Sequence, residues 1–217
     1  MLPALFSILV LGFVLGMRHA TDPDHVVAVT TIVTQQRSLA RAARTGALWG
    51  LGHTATILLV GGLIIALKVQ LSDIPPRLGL ALEFLVAVML VVLGLLTLLR
   101  GERATADSTA RPLTVGFLHG LAGSAAVATL PQIALIPDPR WAAGYLAVFG
   151  VGTIAGMMLI TISIAAPSLM AARRFAGMNR GLRIASGVAS IGFGLFLAHR
   201  IGFVDGLFTA SPTWTPQ

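Results

Sequence analysis

Long apolar runs, separated by short gaps that carry arginine, are the feature that most constrains the fold of this 217-residue chain. A helix crosses the ~30 Å hydrocarbon layer of a bilayer in about 20 residues, so the runs predict six membrane spans. They are Leu2–Met17 continued by Val26–Val33, Leu48–Val69, Leu78–Leu99, Leu113–Ile136, Trp141–Ala172 and Leu182–Ala198. Only 11% of the residues are charged, against about 25% in soluble domains. The sequence therefore excludes a soluble enzyme and predicts an all-α integral membrane protein.

Basic residues, which give the chain a net charge of +7, lie mostly in the gaps between the apolar runs. This placement is typical of membrane orientation and speaks against nucleic-acid binding. If the first span runs from outside to inside, ten basic residues lie inside, four lie outside and Arg18 falls within a span. The inner ones are Arg37, Arg41, Arg44, Arg100, Arg103, Arg111, Arg173, Arg174, Arg180 and Arg183, and the outer ones are Lys68, Arg77, Arg140 and Arg200. We therefore expect a multi-pass protein of the cell (inner) membrane with both termini outside. We also expect the first run to be retained rather than cleaved as a signal peptide, since no basic segment precedes it.

A weak internal repeat relates residues that are 100 positions apart. Gly16 and His19 align with Gly116 and His119, and further matches join residues 50–52 to 150–152 and 94–95 to 194–195. Because each copy holds three spans, an odd number, the second copy must be inserted upside down. The sequence thus predicts two inverted three-helix repeats, residues 1–104 and 105–217, each with a broken first helix in one membrane domain. Similarity caused by shared composition is the alternative.

Five ionisable groups interrupt the first apolar run within eight residues. They are Arg18, His19, Asp22, Asp24 and His25. A single such group costs roughly 2.5–3.5 kcal/mol at the centre of a membrane helix, so we expect the five to face a cavity, a partner or an ion. Asp22 followed by Pro23 predicts an N-cap and a helix that restarts inside the membrane. The alternative is that these groups satisfy one another, with Asp24 paired to Arg18.

The donor atoms of this segment indicate the kind of ion. The chain has no cysteine, so a metal must be held by nitrogen and oxygen. Imidazole and carboxylate suit Ni²⁺, Co²⁺, Zn²⁺ or Cu²⁺ better than Mg²⁺ or Ca²⁺, and the order of affinities does not choose among the four. His53, near the start of the second span, and His119, opposite His19 in the repeat, are further candidate ligands. We expect His199 to be interfacial and Glu83 to lie at a helix start near the outer surface.

The segment Arg18-His-Ala-Thr-Asp-Pro-Asp-His-Val26 resembles the signature of the nickel/cobalt permease family, in which four residues separate a histidine from a following Asp-His pair. That signature usually has alanine at the position of Pro23 and isoleucine at the position of Val26. Gly52-His53-Thr54 is similar to the second motif of the family, and residues 119–126 are similar to a stretch of its short, urease-accessory-type branch. The resemblance implies uptake of Ni²⁺ or Co²⁺ for metalloenzymes such as urease, with His19, Asp22, Asp24 and His25 as transport residues.

We therefore predict a permease rather than an enzyme, with no prosthetic group and with Ni²⁺ or Co²⁺ as the transported substrate. The predicted metal site comprises His19, Asp22, Asp24, His25, His53 and His119. The alternatives are a membrane-embedded metal-dependent enzyme, a metal exporter and an assembly subunit of a larger transporter. The partners that fit a permease are the lipid bilayer, a second copy of the chain, and a metallochaperone or urease maturation protein.

Overall fold

The computed structural model describes residues 2–33, 36, 38–68, 73–100, 109–121, 133, 136, 138–175 and 177–214. Within these ranges the chain forms seven α-helices and one π-helical turn, which confirms the all-α class. The helices are α1 (Leu2–His19), α2 (Pro23–Val33), α3 (Leu39–Leu67), α4 (Pro76–Arg100), α5 (Ala110–Leu121), α6 (Pro139–Arg174) and α7 (Met178–His199), and the π-helical turn is Arg200–Val204.

Four of the described helices are long and apolar enough to cross a membrane, namely α3, α4, α6 and α7. The first predicted span is present as two shorter apolar helices, α1 and α2, which meet at a break. The fourth predicted span begins in α5, but its continuation through residues 122–132 lies outside the described residues. The multi-pass architecture predicted from hydropathy is therefore present.

The distribution of side chains is the reverse of that in a soluble protein. Large apolar side chains such as Leu59, Leu99 and Met170 are exposed on the outer surface of the helices. Histidines and threonines lie inside, where His25 and Thr161 are wholly buried. Exposed apolar surface on this scale is typical of a surface that contacts lipid. The buried polar groups must form hydrogen bonds with one another or bind a ligand.

Glycines set the spacing between the central helices. A Cβ atom on Gly16 of α1 would lie 2.1 Å from the carbonyl oxygen of Phe149 in α6, and one on Gly116 of α5 would lie 2.1 Å from that of Trp49 in α3. Only glycine permits so close an approach of two helix backbones. The helices within each of these two pairs run parallel to one another, since contacts advance in the same direction along both.

The same contacts recur at an offset of 100 residues. Gly52 faces the carbonyl of Leu113, and Gly152 faces that of Phe13. Two further interfaces, α3 with α6 and α4 with α7, are antiparallel. In the second of them, Gly94 packs on Gly187 and Gly194 packs on Ala87. Each of these glycine contacts therefore has a counterpart in which both residue numbers are shifted by 100.

Helix starts follow the offset as well. Ser38 precedes α3 and its hydroxyl accepts a hydrogen bond from the backbone N–H of Arg41 at 3.3 Å. Asp138 precedes α6 and its carboxylate accepts from the N–H of Arg140 at 2.9 Å, with Pro139 at the first helical position. Side chains of this kind satisfy N–H groups that the helix itself leaves unpaired.

Candidate metal centre

The break between α1 and α2 supplies the polar segment of the site. The α1 helix ends at His19, and backbone hydrogen bonds from Thr21 N–H to the Arg18 carbonyl (2.8 Å) and from Asp22 N–H to the His19 carbonyl (3.1 Å) form a tight turn. The α2 helix begins at Pro23, and its first backbone bond runs from Val26 N–H to the Asp22 carbonyl. The predicted broken first helix is confirmed, with proline at the first helical position, where its missing N–H costs nothing.

Four histidines from four helices converge beside this break. His19 lies on α1, His25 on α2, His53 on α3 and His119 on α5, and all four are buried. The ring centroids of His25 lie 4.6 Å from His19, 5.0 Å from His53 and 4.1 Å from His119. His25 is therefore the centre of the cluster.

Two carboxylates orient these imidazoles. Asp22 Oδ2 lies 2.7 Å from His19 Nδ1, and Asp24 Oδ1 lies 3.0 Å from His25 Nδ1. The other oxygen of Asp24 lies 3.0 Å from His119 Nε2. Among the alternatives that the sequence left open, the structure pairs Asp24 with His25 and His119 rather than with Arg18. A carboxylate on Nδ1 fixes the ring and directs Nε2 toward a metal, as in many metalloproteins.

The donor atoms form two overlapping sets. One set is His19, His25 and His53, and the other is Asp24, His25 and His119; within each set the donors lie within 4.8 Å of one another. His19 Nε2 and His53 Nε2 are 2.9 Å apart, while His25 Nε2 is buried and has no hydrogen-bond partner among the described residues. Buried polar atoms without partners are rare, and imidazole nitrogen in such a position is a ready ligand. We call the six residues His19, Asp22, Asp24, His25, His53 and His119 the histidine–aspartate centre.

Aromatic side chains form the walls of this centre. The Trp49 ring lies 5.9 Å from His25 and 5.8 Å from His119, and the Phe149 ring lies 5.8 Å from His19. Both rings are buried, so these walls of the centre are apolar. Sequence reasoning did not identify either residue, although their positions 100 residues apart were a signal that could have found them.

The structure brings all six predicted site residues together, whereas the direct contacts of two other candidates, His199 and Glu83, are with other residues. His199 lies at the end of α7, where its ring is 5.5 Å from Phe203. Glu83 lies on α4 and its carboxylate accepts a hydrogen bond from the Trp214 indole at 2.9 Å. Glu83 also lines a cavity that reaches Asp22 and Asp24, a location that its position near a helix start did not predict.

Comparisons with known proteins identify the family to which the chain belongs. A family model described as a high-affinity nickel-transport protein (NicO) matches residues 5–179. The urease accessory protein UreH of Bacillus sp. (strain TB-90) is 36% identical over 94% of this chain and 96% of its own length. The chloroplast protein FOR GROWTH AND FERTILITY 2 of Arabidopsis thaliana is 29% identical over 85% of this chain and 54% of its own length.

A third relative covers a smaller part of the chain. The high-affinity nickel transport protein of Cupriavidus necator is 32% identical over 33% of this chain and 20% of its own length. No solved structure matches the chain. Because the NicO model covers most of the sequence, from the first helix to the start of the last, the chain belongs to the NicO family of high-affinity nickel-transport proteins.

Proposed function

We propose that this chain is a membrane permease that carries Ni²⁺ through the histidine–aspartate centre, with Co²⁺ as a second substrate. The observation that carries the proposal is the convergence of four buried histidines and two carboxylates at a helix break, inside a bundle whose outer surface is apolar. Burying such a set costs free energy unless its members pair with one another or with a ligand, and His25 Nε2 has no partner among the described residues. Membership of a nickel-transport family supports the choice of metal.

The ligand chemistry favours a borderline divalent ion. Neutral imidazole nitrogen with carboxylate oxygen binds Ni²⁺ and Co²⁺ well, whereas Mg²⁺ prefers an all-oxygen shell. His25 belongs to both donor sets, so a bound ion can exchange Asp24 and His119 for His19 and His53 while it stays on His25. Stepwise exchange of this kind lets an ion bind firmly enough to be selected and still leave.

The two halves of the chain, residues 1–104 and 105–217, form two inverted repeats in this proposal. The contacts that recur at an offset of 100 residues support it, including Gly16 with Phe149 against Gly116 with Trp49. The α3 and α6 helices are counterparts and run antiparallel, so a two-fold axis that relates them lies perpendicular to the helices and hence in the membrane plane. Rocking of one repeat against the other would expose the centre to each side in turn.

Orientation follows from the distribution of arginine. We place the chain in the cell (inner) membrane with both termini outside, because ten basic residues then face inward and four face outward. In this orientation α2 runs from the centre toward the inner face. The proposed break in the first helix of the second repeat falls within residues 119–124, of which α5 includes the part up to Leu121 and the rest lies outside the described residues.

The remaining alternatives concern direction and assembly. The chain belongs to a transport family, so a metal-dependent enzyme is not retained. Export and action as a subunit of a larger transporter stay as rivals. A second copy of the chain, or a metallochaperone that delivers nickel to urease, is the protein partner that fits a relative named as a urease accessory protein.

The test is the flux of radioactive Ni²⁺ into liposomes that contain only the purified chain. We expect saturable influx that excess Co²⁺ inhibits and Mg²⁺ does not. His19→Ala combined with His25→Ala should abolish this influx. His199→Ala is the matched control, because it removes a histidine that lies outside the centre.

Three results would contradict the proposal or limit it. Absence of influx with a folded wild-type chain would favour the subunit alternative. Influx that survives the double substitution would remove the histidine–aspartate centre from the path. Efflux of Ni²⁺ up its own concentration gradient, driven by protons that enter down theirs, would favour export.

A further inference from the structure

A cavity of about 390 Å³ lies on one side of the helix break. Asp22, Pro23 and Asp24 line it together with the first turns of α4, the end of α7 and the C-terminal segment. It is large enough for a hydrated ion, since six waters at about 30 Å³ each occupy roughly 180 Å³. The cavity therefore joins the histidine–aspartate centre to the face of the protein at which α4 begins.

The exposure of the site residues shows from which side the centre is reached. The side chain of Asp22 is 44% exposed and that of Asp24 is 22% exposed, whereas those of His25 and His119 are 1% exposed. An ion from this cavity meets the carboxylates first and the imidazoles second. The cavity is thus continuous with the centre through its two aspartates.

The lining of the cavity favours cations. Four carboxylates face it, from Asp22, Asp24, Glu83 and Asp205, while Arg200 is the one cationic side chain among its lining residues. Arg200 Nε lies 3.7 Å from Asp205 Oδ2, so these two charges largely offset each other. Apolar walls that include Val86 and Phe193 separate the carboxylates from lipid. Charges of one sign in a cleft with low-dielectric walls concentrate counter-ions.

Glu83 is the carboxylate that α4 contributes to this lining. Its carboxylate is held by the indole N–H of Trp214 at 2.9 Å, and the Trp214 ring lies flat against Gly79, where a Cβ atom would be 2.1 Å from the ring. The C-terminal segment is itself anchored by a hydrogen bond from Thr213 N–H to the Asp205 carbonyl. The Glu83 carboxylate is therefore held in place in the lining of the same cavity as the two aspartates.

We propose that this cavity is the outer vestibule through which hydrated Ni²⁺ reaches the histidine–aspartate centre, and that Glu83 draws the ion inward along it. The inference rests on the proposed function for the identity of the ion. It adds a path and a cation-steering residue that lie outside the family motifs. Glu83 acts on the capture of the ion rather than on its passage across the centre, so its loss should change KM and leave the maximal rate unchanged.

The experiment uses the natural absence of cysteine from the chain. Val86→Cys places one thiol in the vestibule, and Val88→Cys places the same thiol two residues further along α4, where Val88 is exposed on the outer surface of the helix bundle. Membrane-impermeant methanethiosulfonates with a trimethylammonium or a sulfonate head group are applied to sealed cells from outside. The modification rate of each single-cysteine protein is then measured.

We expect the Val86→Cys protein to react with the cationic reagent at least about 10-fold faster than the Val88→Cys protein, and Ni²⁺ to slow this reaction. Adding Glu83→Gln should lower the ratio of cationic to anionic rates by about 3-fold or more, because the ratio reports the local potential. Glu102→Gln, which removes the same charge from the segment between α4 and α5, should leave the ratio unchanged. In transport, Glu83→Gln should raise KM about 3-fold or more without lowering the maximal rate.

Each failure has a distinct meaning. A thiol at position 86 that is unreactive, or that reacts only from the inner side, overturns the vestibule even if transport is normal. A ratio of cationic to anionic modification rates that Glu83→Gln leaves unchanged overturns the role of Glu83. Reaction at position 86 with the expected ratio in a chain that moves no Ni²⁺ upholds the vestibule and refutes the permease.

Discussion

Gly52→Ala should damage the nickel site without touching a ligand. A Cβ atom on Gly52 would lie 2.2 Å from the carbonyl oxygen of Leu113 and 2.9 Å from the backbone nitrogen of Phe117. Carbon–oxygen contacts become favourable at about 3.5 Å, so α3 and α5 must separate by about 1 Å. His53 follows Gly52 directly, and its Nε2 lies 2.9 Å from His19 Nε2. The displacement therefore pulls one imidazole away from the others.

The expected loss is large because metal ligands tolerate little movement. Distances from metal to ligand hold within about 0.2 Å, and displacements of 1 Å at a reacting centre cost on the order of 100-fold. We expect the Kd for Ni²⁺ to rise about 10- to 100-fold and the free energy of unfolding to fall by about 1–3 kcal/mol, as for other overpacked interiors.

Gly62→Ala is the matched control, because a Cβ atom at that position on the same helix would meet nothing within 4 Å. It should leave Kd unchanged and stabilise α3 by up to about 1 kcal/mol. Calorimetric binding of Ni²⁺ and thermal unfolding in detergent measure both quantities. Wild-type Kd and stability in Gly52→Ala would refute the argument that this glycine sets the spacing of the centre.

Three further outcomes are expected. With the other two tryptophans replaced by phenylalanine, Trp49 fluorescence should be quenched by Ni²⁺ and not by Mg²⁺, because the indole lies 5.9 Å from the His25 ring; an unresponsive signal would place the metal elsewhere. Acidification should raise the Kd for Ni²⁺, since protonated imidazole cannot bind a metal, and the slope of log Kd against pH counts the protons released; a Kd that stays unchanged until the chain itself unfolds in acid would exclude histidine ligands. Ser190→Ala should cost about 1 kcal/mol of stability with no change in Kd, because it removes a 2.7 Å hydrogen bond to the Leu90 carbonyl between α7 and α4; a changed Kd would couple that interface to the site.

The local part of the site was predictable from sequence. Proline after Asp22 enforces the helix break, since it cannot continue a helix from the preceding turn. The insertion cost of several charges in an apolar run identifies the segment as functional. Gly16 and Gly116, which the sequence aligns at an offset of 100 residues as part of a repeat, make corresponding close contacts in the structure.

The non-local part was not predictable in the same way. The contact of Asp24 with His119 depends on where α5 packs, and no pattern in the first span reports that. Trp49 looks like any buried aromatic residue until the structure places it beside His25. From its place in the sequence, Glu83 resembles any acidic residue near the start of a helix. It lines a cavity only because the C-terminal segment folds back and places Trp214 against α4. Such pairings follow from tertiary packing between residues far apart in the chain.

The central claim is that nickel crosses the membrane by binding the imidazoles around His25. X-ray absorption at the nickel edge, on the purified chain loaded with one equivalent of Ni²⁺, tests it most directly. In the spectrum of the wild-type chain we expect outer-shell scattering from at least two imidazoles. His25→Asn should lose this signal, and His199→Asn should keep it. An aqueous Ni²⁺ spectrum, or an imidazole signal that His25→Asn leaves unchanged, would contradict the account.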